Sequence, residues 1–435
     1  MAESQVPTET TPTSTARKLI VVLGASYSGL SIAHYLLKHV VPTLGNPADY
    51  QVVLVSPSRE TVVRVASPRA MISDDLLDQN KLFVDTTTVL KQYPAEMVRF
   101  LHGTAVKLSH QTKTVAIQPH GATPGTEPEL INYHALVIAT GASTTSPLLG
   151  LKTDSDALRA AWAELRAALP SAKTIVIAGG GPAGIETAGE LAHYLNGRAG
   201  GASNSNNKVT ITVVNGTDKI LPVLRPALAA KAEKMLSALG VVVRNNTRVT
   251  SVEPSTSGTA ANTASKTVVT LSDGTTLGAD IYIPATGFIY NTAFVNPGLL
   301  NAQGRVKVNP GTFRIYADGG SSNNENALLY AVGDVCSAHR PAIHCILPAV
   351  PVLGNNMKRD LLCAEGKTDA ALLPADKIYV EEKRETQIVP IGPSGGVGAV
   401  FGWKLPSFAV KFIKGRDYFL STTPKLWNGQ QWSKP

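Results

Sequence analysis

Two stretches of the chain repeat one pattern: an apolar run, a turn rich in small residues, and apolar positions at helical spacing. In the first, the apolar run at 19–23 leads into Gly24-Ala25-Ser26-Tyr27-Ser28-Gly29. In the second, the β-branched run at 175–177 leads into Gly179-Gly180-Gly181-Pro182-Ala183-Gly184, and apolar positions continue from 185 to 195. A short apolar run that ends in glycine predicts a buried parallel strand, and the spacing after it predicts a helix. The sequence therefore predicts an internal repeat of two strand–turn–helix units.

Each unit is suited to a dinucleotide. In the second, Gly179 makes the tight turn, Gly181 lets the backbone approach a pyrophosphate, and Gly184 allows close helix–strand packing. The start of the following helix attracts the phosphates. The fingerprint is informative only in this context, and a chance glycine loop is the alternative. In the first unit, Ser26 replaces the middle glycine. Two units predict two nucleotides, one of them a flavin.

Three further apolar strands are predicted to end at the ligand-binding edge of the sheets. Two of them end in Ala-Thr-Gly, at Ala139-Thr140-Gly141 and at Ala285-Thr286-Gly287, and the third ends in Gly333-Asp334. Ligands of open parallel sheets bind at the carboxyl ends of the strands. Asp334 is therefore a candidate acceptor for the ribityl hydroxyls of a flavin, with a plain Gly-Asp turn as the alternative.

The strand that follows each unit usually ends in an acid that binds a ribose. Here the two positions are Ser56 and Asn215. A serine binds ribose hydroxyls with less specificity. Asn215, followed by Lys219 and Arg225, leaves the choice between NADH and NADPH open.

Composition indicates a globular chain of two or three domains, with 435 residues, 43% apolar and 17% charged. The net charge of +8 is spread along the sequence without a dense basic block. Nucleic-acid binding is therefore not expected, whereas anionic dinucleotides or a membrane surface would explain the charge. The three cysteines, Cys336, Cys345 and Cys363, form neither a close pair nor a zinc pattern. Hence we expect no disulfide framework, no metal site and no redox-active cysteine pair.

The N-terminal residues and the length of the apolar runs indicate where in the cell the protein is found. Residues 1–17 are rich in Ser, Thr and Pro and are expected to be disordered, without a secretory signal. Ala2 excludes N-myristoylation, and no apolar run is long enough to cross a membrane. We expect a cytoplasmic protein that is not secreted.

Residues 401–414 combine aromatic and basic positions. Phe401, Leu405, Phe408 and Phe412 recur at helical spacing, with Lys404, Lys411 and Lys414 among them. The pattern predicts an amphipathic helix in peripheral contact with an anionic membrane. Packing onto the domain core or onto a partner subunit is the alternative, and the sequence does not determine an oligomeric state.

The order of these motifs along the chain resembles that of a flavoprotein with two dinucleotide-binding domains. Within that superfamily the chain resembles the apoptosis-inducing-factor-like group, especially the ferroptosis suppressor protein branch and its fungal relatives. The likeness to type II NADH dehydrogenases is more distant. Two further segments support the resemblance, Val65-Ala66-Ser67-Pro68-Arg69-Ala70 and Lys414-Gly415-Arg416-Asp417-Tyr418-Phe419-Leu420-Ser421-Thr422.

The resemblance implies a non-covalent FAD on the first unit and NAD(P)H on the second. It implies FAD contacts at Arg69, Val106 and Asp334, and an acidic residue, Glu186, on the nicotinamide side. A guanidinium such as that of Arg69 makes charge-assisted bonds to a diphosphate, although a solvated surface arginine is the alternative. In that family a hydride passes from NAD(P)H to the flavin, and electrons then pass to a quinone or a similar acceptor.

The predicted fold is α/β, with two Rossmann-like domains, the second inserted in the first, and a small C-terminal α+β module. The predicted limits are 18–146 and 291–375 for the FAD domain, 147–290 for the NAD(P)H domain, and 376–435 for the C-terminal module. The predicted FAD contacts are Gly24, Ala25, Ser26, Tyr27, Ser28, Gly29, Ser56, Arg69, Val106, Ala139, Thr140, Gly141, Gly333 and Asp334. The predicted NAD(P)H contacts are Gly179, Gly180, Gly181, Pro182, Ala183, Gly184, Glu186, Asn215 and Gly287.

The chain departs from the family at Ser26 and Ser56, and at Ala342, where the membrane-bound branch often has lysine. The predicted function is an FAD-dependent NAD(P)H oxidoreductase with a small electron acceptor. A redox-sensing flavoprotein with slow turnover, or a tailoring oxidoreductase of a small metabolite, is the alternative. No catalytic residue is assigned, and His344 is a candidate proton donor, with a packed or solvated histidine as the alternative.

Overall fold

The computed structural model describes residues 17–197, 209–316, 328–369 and 371–435. Most of the expected disordered N-terminus (1–17) lies outside the described residues. The same holds for most of the Gly/Ser/Asn-rich segment at 197–207, which its composition predicts to be a surface loop. The strands, in chain order, are β1 (Lys18–Leu23), β2 (Tyr50–Ser56), β3 (Glu60–Val62), β4 (Phe83–Asp85), β5 (Val98–Ser109), β6 (Thr114–Pro119), β7 (Glu129–Asn132), β8 (Ala135–Ile138), β9 (Ala142–Ser143), β10 (Thr174–Ala178), β11 (Thr210–Val214), β12 (Val241–Arg244), β13 (Val249–Glu253), β14 (Thr267–Leu271), β15 (Thr276–Ala279), β16 (Ile281–Pro284), β17 (Ile289–Tyr290), β18 (Leu329–Ala331), β19 (Gln387–Pro390), β20 (Gly396–Val400) and β21 (Trp403–Lys404).

Helices connect these strands. The α-helices are α1 (Tyr27–Tyr35), α2 (Ser67–Ala70), α3 (Gln79–Leu82), α4 (Thr86–Leu90), α5 (Ser155–Ala168), α6 (Pro182–Asn196), α7 (Pro226–Ala238), α8 (Ile343–Ala364), α9 (Ser407–Val410) and α10 (Pro424–Trp427). Shorter 3₁₀ and π turns lie at Leu36–Val40, Val41–Thr43, Pro47–Asp49, Arg64–Ala66, Asp74–Leu76, Leu169–Ser171, Pro297–Leu299, Lys411–Gly415 and Gln430–Trp432. Among the described residues, no helix has the length and apolar character that crossing a bilayer requires.

The first sheet has seven strands in the order β18-β8-β1-β2-β5-β6-β7. Strands β18, β8, β1, β2 and β5 pair in parallel, whereas β6 and β7 continue the sheet as antiparallel strands. Strand β18 is separated from the rest of this sheet by about two hundred residues of sequence. The chain therefore leaves the first sheet after β8 and returns to it at β18.

The second sheet is formed by the intervening chain. Its four strands are parallel, in the order β12-β11-β10-β16, and the antiparallel sheet β13-β14-β15 accompanies it. In both sheets, the strand before the glycine turn lies between the next strand of its unit and a strand that ends in Ala-Thr-Gly. The predicted repeat and the α/β fold with an inserted second domain are confirmed.

The core explains why these elements form. Residues 20–23 of β1 are buried, as expected for a central strand with parallel neighbours on both sides. A smaller cluster lies between the second sheet and the antiparallel sheet, and contains Val176, Val214, Val269 and Tyr282. The second unit thus has apolar support on both faces of its central strand.

The C-terminal module contains the antiparallel sheet β19-β20-β21, followed by α9 and the π turn Lys411–Gly415. The predicted continuous helix over 401–414 is wrong. Phe401 and Gly402 have positive φ values of 49° and 83°, and β21 follows them. Pro406 is the N-cap of α9, because a proline within a helix lacks the backbone donor that a helix requires.

Two short segments differ from what their sequences predict. The sequence at 304–308 predicts a short strand, but this segment makes only isolated bridges, for example between Val306 and Cys336. The composition at 121–130 predicts a loop, but β7 begins at Glu129 and pairs with β6.

Candidate cofactor and redox site

The two glycine turns have the same geometry. Gly24 and Gly179 have φ values of +107° and +129°, which favour glycine. A Cβ at Gly24 would lie 2.4 Å from the carbonyl oxygen of Ala139, and one at Gly179 would lie 2.3 Å from that of Ala285. Each turn is therefore packed against an Ala-Thr-Gly segment, as expected for strands that end at one edge.

The helix after each turn approaches it closely. A Cβ at Gly29 would lie 1.7 Å from the carbonyl oxygen of Gly24, and one at Gly184 would lie 2.1 Å from that of Gly179. In contrast, a Cβ at Gly181 would meet nothing within 4 Å. Helices α1 and α6 both begin without a side-chain cap, so their first amide groups are available to an anion. The two cradles thus fit two pyrophosphate groups.

Asp334 follows β18 at the same edge as the first turn. Gly333 has a φ of +87°, and a Cβ there would lie 2.5 Å from Oγ of Ser28. The Asp334 carboxylate accepts no hydrogen bond from any described residue. Burial raises its pKa, which the positive charge of Arg64 opposes. A largely buried acceptor without a protein donor fits the hydroxyl groups of a bound FAD.

Arg64, which sequence reasoning missed, is the arginine beside Asp334. Its side chain donates to the carbonyl oxygens of Ala142 (2.7 Å) and Leu149 (3.2 Å). The sequence carried a signal, because Arg64 directly precedes the segment of the resemblance that contains Arg69.

Arg69, unlike Arg64, binds a carboxylate of the protein. Its Nε and Nη2 donate to the Glu190 carboxylate at 2.9 and 2.7 Å, and its Nη1 donates to the carbonyl oxygen of Arg416 at 3.1 Å. The structure thus gives the guanidinium three protein acceptors, and the FAD contact inferred from the resemblance stays a prediction.

The other predicted FAD contacts divide into two groups. Ser56 is buried and pairs with His102 in the register of β2 and β5, and its Oγ accepts from the Ser58 amide. Thr140 donates its hydroxyl hydrogen to the carbonyl oxygen of Asn291 at 2.8 Å. Val106, however, is 44% exposed, where the register of β5 and β6 shifts. Ser56 and Thr140 thus lie at the strand ends, whereas Val106 lies on the surface of a bulge.

In the second unit, Asn215 is buried and directly follows β11. Its amide donates to the carbonyl oxygen of Thr217 (3.0 Å) and to Oδ1 of Asn245 (2.7 Å). A Cβ at Gly180 would lie 2.5 Å from its Oδ1. Gly287 has a φ of +68° and open space around its Cβ direction. Asn215 therefore packs against Gly180, whereas no described protein atom fills the space next to Gly181 and Gly287.

Glu186 forms a buried ion pair with Lys414 of the C-terminal module. The Lys414 Nζ lies 2.5 Å from Oε1 of Glu186, and only 2% of Glu186 and 8% of Lys414 are exposed. Burial raises the pKa of Glu186 to about 7, although Lys414 opposes the rise. Glu186 is therefore poised to exchange a proton near neutral pH. Sequence reasoning did not find Lys414 as its partner.

Residues 18–350 match the family described as pyridine nucleotide-disulphide oxidoreductase. The chain belongs to this family. Oxidoreductase phnG of Penicillium herquei is 53% identical, with 97% of this chain and 99% of that protein covered. Ferroptosis suppressor protein 1 of Homo sapiens is 22% identical over 96% of each chain. NDH2 from Plasmodium falciparum, solved in complex with NADH, has the same fold, with a TM-score of 0.65, 14% identity, and coverage of 95% of this chain and 96% of that one.

Membership of the pyridine nucleotide-disulphide oxidoreductase family makes the chain an FAD-dependent NAD(P)H oxidoreductase with FAD and NAD(P)H as cofactors. The suspected likeness to the apoptosis-inducing-factor-like group is confirmed by the ferroptosis suppressor protein relative. The fold and cofactor predictions from sequence are confirmed with it.

The family name refers to disulphide chemistry, whereas the sequence predicts no redox-active cysteine pair. All three cysteines are free, with Cys336 and Cys345 buried and Cys363 exposed. Burial raises the pKa of Cys336 to about 11, so its thiol stays protonated.

His344 lies in the first turn of α8 and receives a contact from Arg340, with 3.1 Å between Nη2 and Nε2. Burial lowers its pKa, and the charge of Arg340 lowers it further. Because a guanidinium only donates, Nε2 of His344 is the acceptor of this contact, and the role of His344 as a proton donor stays a prediction.

Proposed function

We propose that this oxidoreductase passes electrons from NAD(P)H through its flavin to a quinone-like or other small acceptor. The buried Glu186–Lys414 pair carries the proposal. Reduction of a quinone consumes protons as well as electrons, and Glu186 holds a proton with a pKa of about 7. A second redox centre made of cysteines is not required, because the thiols are separate and two of them are buried.

FAD, when bound, supplies the group that accepts the hydride. The residues of the chain bind and orient. The open turn at Gly181 and the start of α6 bind the nicotinamide dinucleotide through its pyrophosphate, and Asp334 orients the flavin cofactor through its hydroxyl groups. The Glu186 carboxyl group holds the proton, and Lys414, whose Nζ donates to Oε1, lowers its pKa.

We keep the contacts assigned from the sequence, with two changes. Arg64 joins the FAD contacts, because it lies beside Asp334. Arg69 is proposed to act on the junction between modules, because its guanidinium is held by Glu190. The proposed domain limits remain 18–146 with 291–375, 147–290, and 376–435.

We also propose that the enzyme works in the cytoplasm in peripheral contact with an intracellular membrane. Trp403, Phe408 and Phe412 are 79%, 65% and 62% exposed. Lys404 and Lys411 are exposed between them. Exposed aromatic side chains beside lysines are typical of a surface that inserts at an anionic lipid interface. A lipid-soluble acceptor would be reached from such a surface.

The membrane contact is tested by flotation with vesicles of phosphatidylserine and phosphatidylcholine. The double variant Phe408→Ser/Phe412→Ser should lose most of the bound fraction. Val380→Ser is the matched control, because Val380 is 82% exposed and lies outside residues 401–414. Equal flotation of all three proteins would refute the membrane contact.

The redox function is tested by an absorbance spectrum, followed by anaerobic titration with NADH and with NADPH. We expect bleaching of the flavin by a nicotinamide nucleotide, and rapid recovery when a short-chain quinone is added. Slow reduction with a long-lived reduced complex would favour a redox sensor instead. Failure with quinones combined with oxidation of an organic metabolite would favour a tailoring enzyme.

A further inference from the structure

Two turns form the edge of the second sheet at which the adenosine half of a dinucleotide binds. They follow β11 and β12, which are parallel neighbours and so end at the same edge. The turns are joined by backbone bonds: the amide of Asn246 donates to Thr217, and that of Thr247 donates to Asn215, both at 2.9 Å. Residues 215–219 and 245–248 thus form one surface.

Most cations near this surface are already bound to protein groups. Lys219 Nζ donates to the carbonyl oxygens of Pro222 and Leu224 at 3.0 and 2.7 Å. Arg225 pairs with Glu385, with 2.5 Å between Nη2 and Oε2. Arg244 pairs with Asp273 at 3.0 Å. These three side chains thus already have protein partners.

Arg248 differs from these three cations, because its guanidinium has no partner among the described residues. Its side chain lies across Gly216, where a Cβ would be 2.8 Å from Cγ and 3.1 Å from Nε of the arginine. Its amide is fixed by Oγ of Ser272 at 3.0 Å. The guanidinium, however, has no hydrogen bond or ion pair with the residues that the structure describes, and Arg248 is exposed. A fixed backbone therefore presents an unused guanidinium over the turn that follows β11.

The chemistry of this position separates the two nicotinamide nucleotides. An acid at the end of the second strand binds the ribose diol of NADH, whereas a nearby arginine accommodates the 2′-phosphate of NADPH. Here the strand ends in the neutral Asn215, and the carboxylate of the turn, Asp218, comes three residues later. A guanidinium forms bidentate, charge-assisted bonds with a phosphate.

We propose that Arg248 binds the 2′-phosphate of NADPH and makes this enzyme selective for NADPH over NADH. The inference rests on the proposed function only in that the second unit binds the electron donor. Arg248 is a specificity residue, because the adenosine end of the nucleotide lies far from the hydride that reacts.

The test measures binding without turnover, by titration calorimetry of the FAD-loaded protein with 2′,5′-ADP and with 5′-AMP. The wild type should bind 2′,5′-ADP at least tenfold more tightly than 5′-AMP. Arg248→Ala should lose about 10- to 100-fold in affinity for 2′,5′-ADP, as one or two charge-assisted bonds imply, and nothing for 5′-AMP. Arg248→Lys should recover part of the loss, and Arg244→Ala is the control with a cation that is already paired.

Two results would overturn the assignment. One is equal affinity of the wild type for the two ligands. The other is an equal loss of both ligands in Arg248→Ala, which would place the guanidinium on the adenine ring. In turnover, the ratio of kcat/KM for NADPH to that for NADH should fall by the same factor as the 2′,5′-ADP affinity. Normal selectivity for 2′,5′-ADP in a protein whose flavin neither nucleotide reduces would support Arg248 and refute the redox function.

Discussion

Replacing Arg69 with methionine should destabilise the protein strongly, because Arg69 is the counter-charge of a buried carboxylate. Arg69 lies on α2 of the first domain, and Glu190 lies on α6 of the second. Their side chains are 6% and 4% exposed, and two bonds of 2.9 and 2.7 Å join them. Methionine would fill most of the space but would leave Glu190 in a dry environment without its cation.

The burial of the Arg69–Glu190 pair sets the size of the expected loss of stability. Removal of one partner from a buried ion pair costs about 3–5 kcal/mol, mostly because the remaining charge stays desolvated. Tyr418 still donates to Oε1 of Glu190, at 3.1 Å, and this hydrogen bond partly compensates for the missing cation. We therefore expect the free energy of unfolding to fall by about 3 kcal/mol. Glu190→Gln removes the stranded charge, so the double variant should be more stable than the sum of the single effects predicts, by about 2 kcal/mol.

The assay is urea unfolding followed by tryptophan fluorescence, with excess FAD present in every sample. Arg384→Met is the control, because the Arg384–Glu382 pair, at 2.5 Å, is no longer than the buried pair at 2.7 Å but is 62% and 32% exposed. Its removal should leave the free energy of unfolding almost unchanged, because both groups are exposed to solvent. A loss below about 1 kcal/mol in Arg69→Met, or strict additivity in the double variant, would refute the reasoning from burial.

Three other variants test the site. Asp334→Ala should lower the flavin content of the purified protein, because the unpartnered carboxylate is lost, and a full flavin-to-protein absorbance ratio would contradict that role. Gly181→Glu should block NAD(P)H binding and retain FAD, because the new side chain enters the open space above α6; loss of both cofactors would argue against two separate cradles. Lys414→Met should move the pKa of Glu186 upward from about 7, because the lysine charge lowers it. The alkaline limb of the pH profile for quinone reduction should then shift to higher pH, because Glu186 keeps its proton to a higher pH, and an unchanged profile would exclude Glu186 as the group that titrates.

Much of the fold was predictable because its signals are local. Each glycine turn needs positive φ at its first glycine and no side chain at its last, and these demands appear directly in the sequence. The Ala-Thr-Gly strand ends were predictable for the same reason. Their packing against Gly24 and Gly179 confirms that the two units share one edge geometry.

The charged contacts were not predictable, because they join residues far apart in the sequence. Arg69 and Glu190 are 121 positions apart, and Glu186 and Lys414 are 228 positions apart. No local pattern indicates which carboxylate a buried cation will meet. The prediction of a helix over 401–414 was wrong for a different reason. The aromatic spacing was helical, but Gly402 and Pro406 opposed a helix, and their signal was the stronger one.

Helix α6 links the three parts of the molecule through two residues one turn apart. Glu186 contacts Lys414 of the C-terminal module, and Glu190 contacts Arg69 of the first domain. Tyr418 connects the two contacts, because its hydroxyl donates to Glu190 while Arg69 and Lys414 lie 4.7 and 5.5 Å from its ring centroid. The beginning of the same helix faces the open nucleotide cradle. A nucleotide bound there therefore acts on a helix whose next two turns hold both neighbouring modules, so nucleotide binding and the protonation of Glu186 are expected to be coupled.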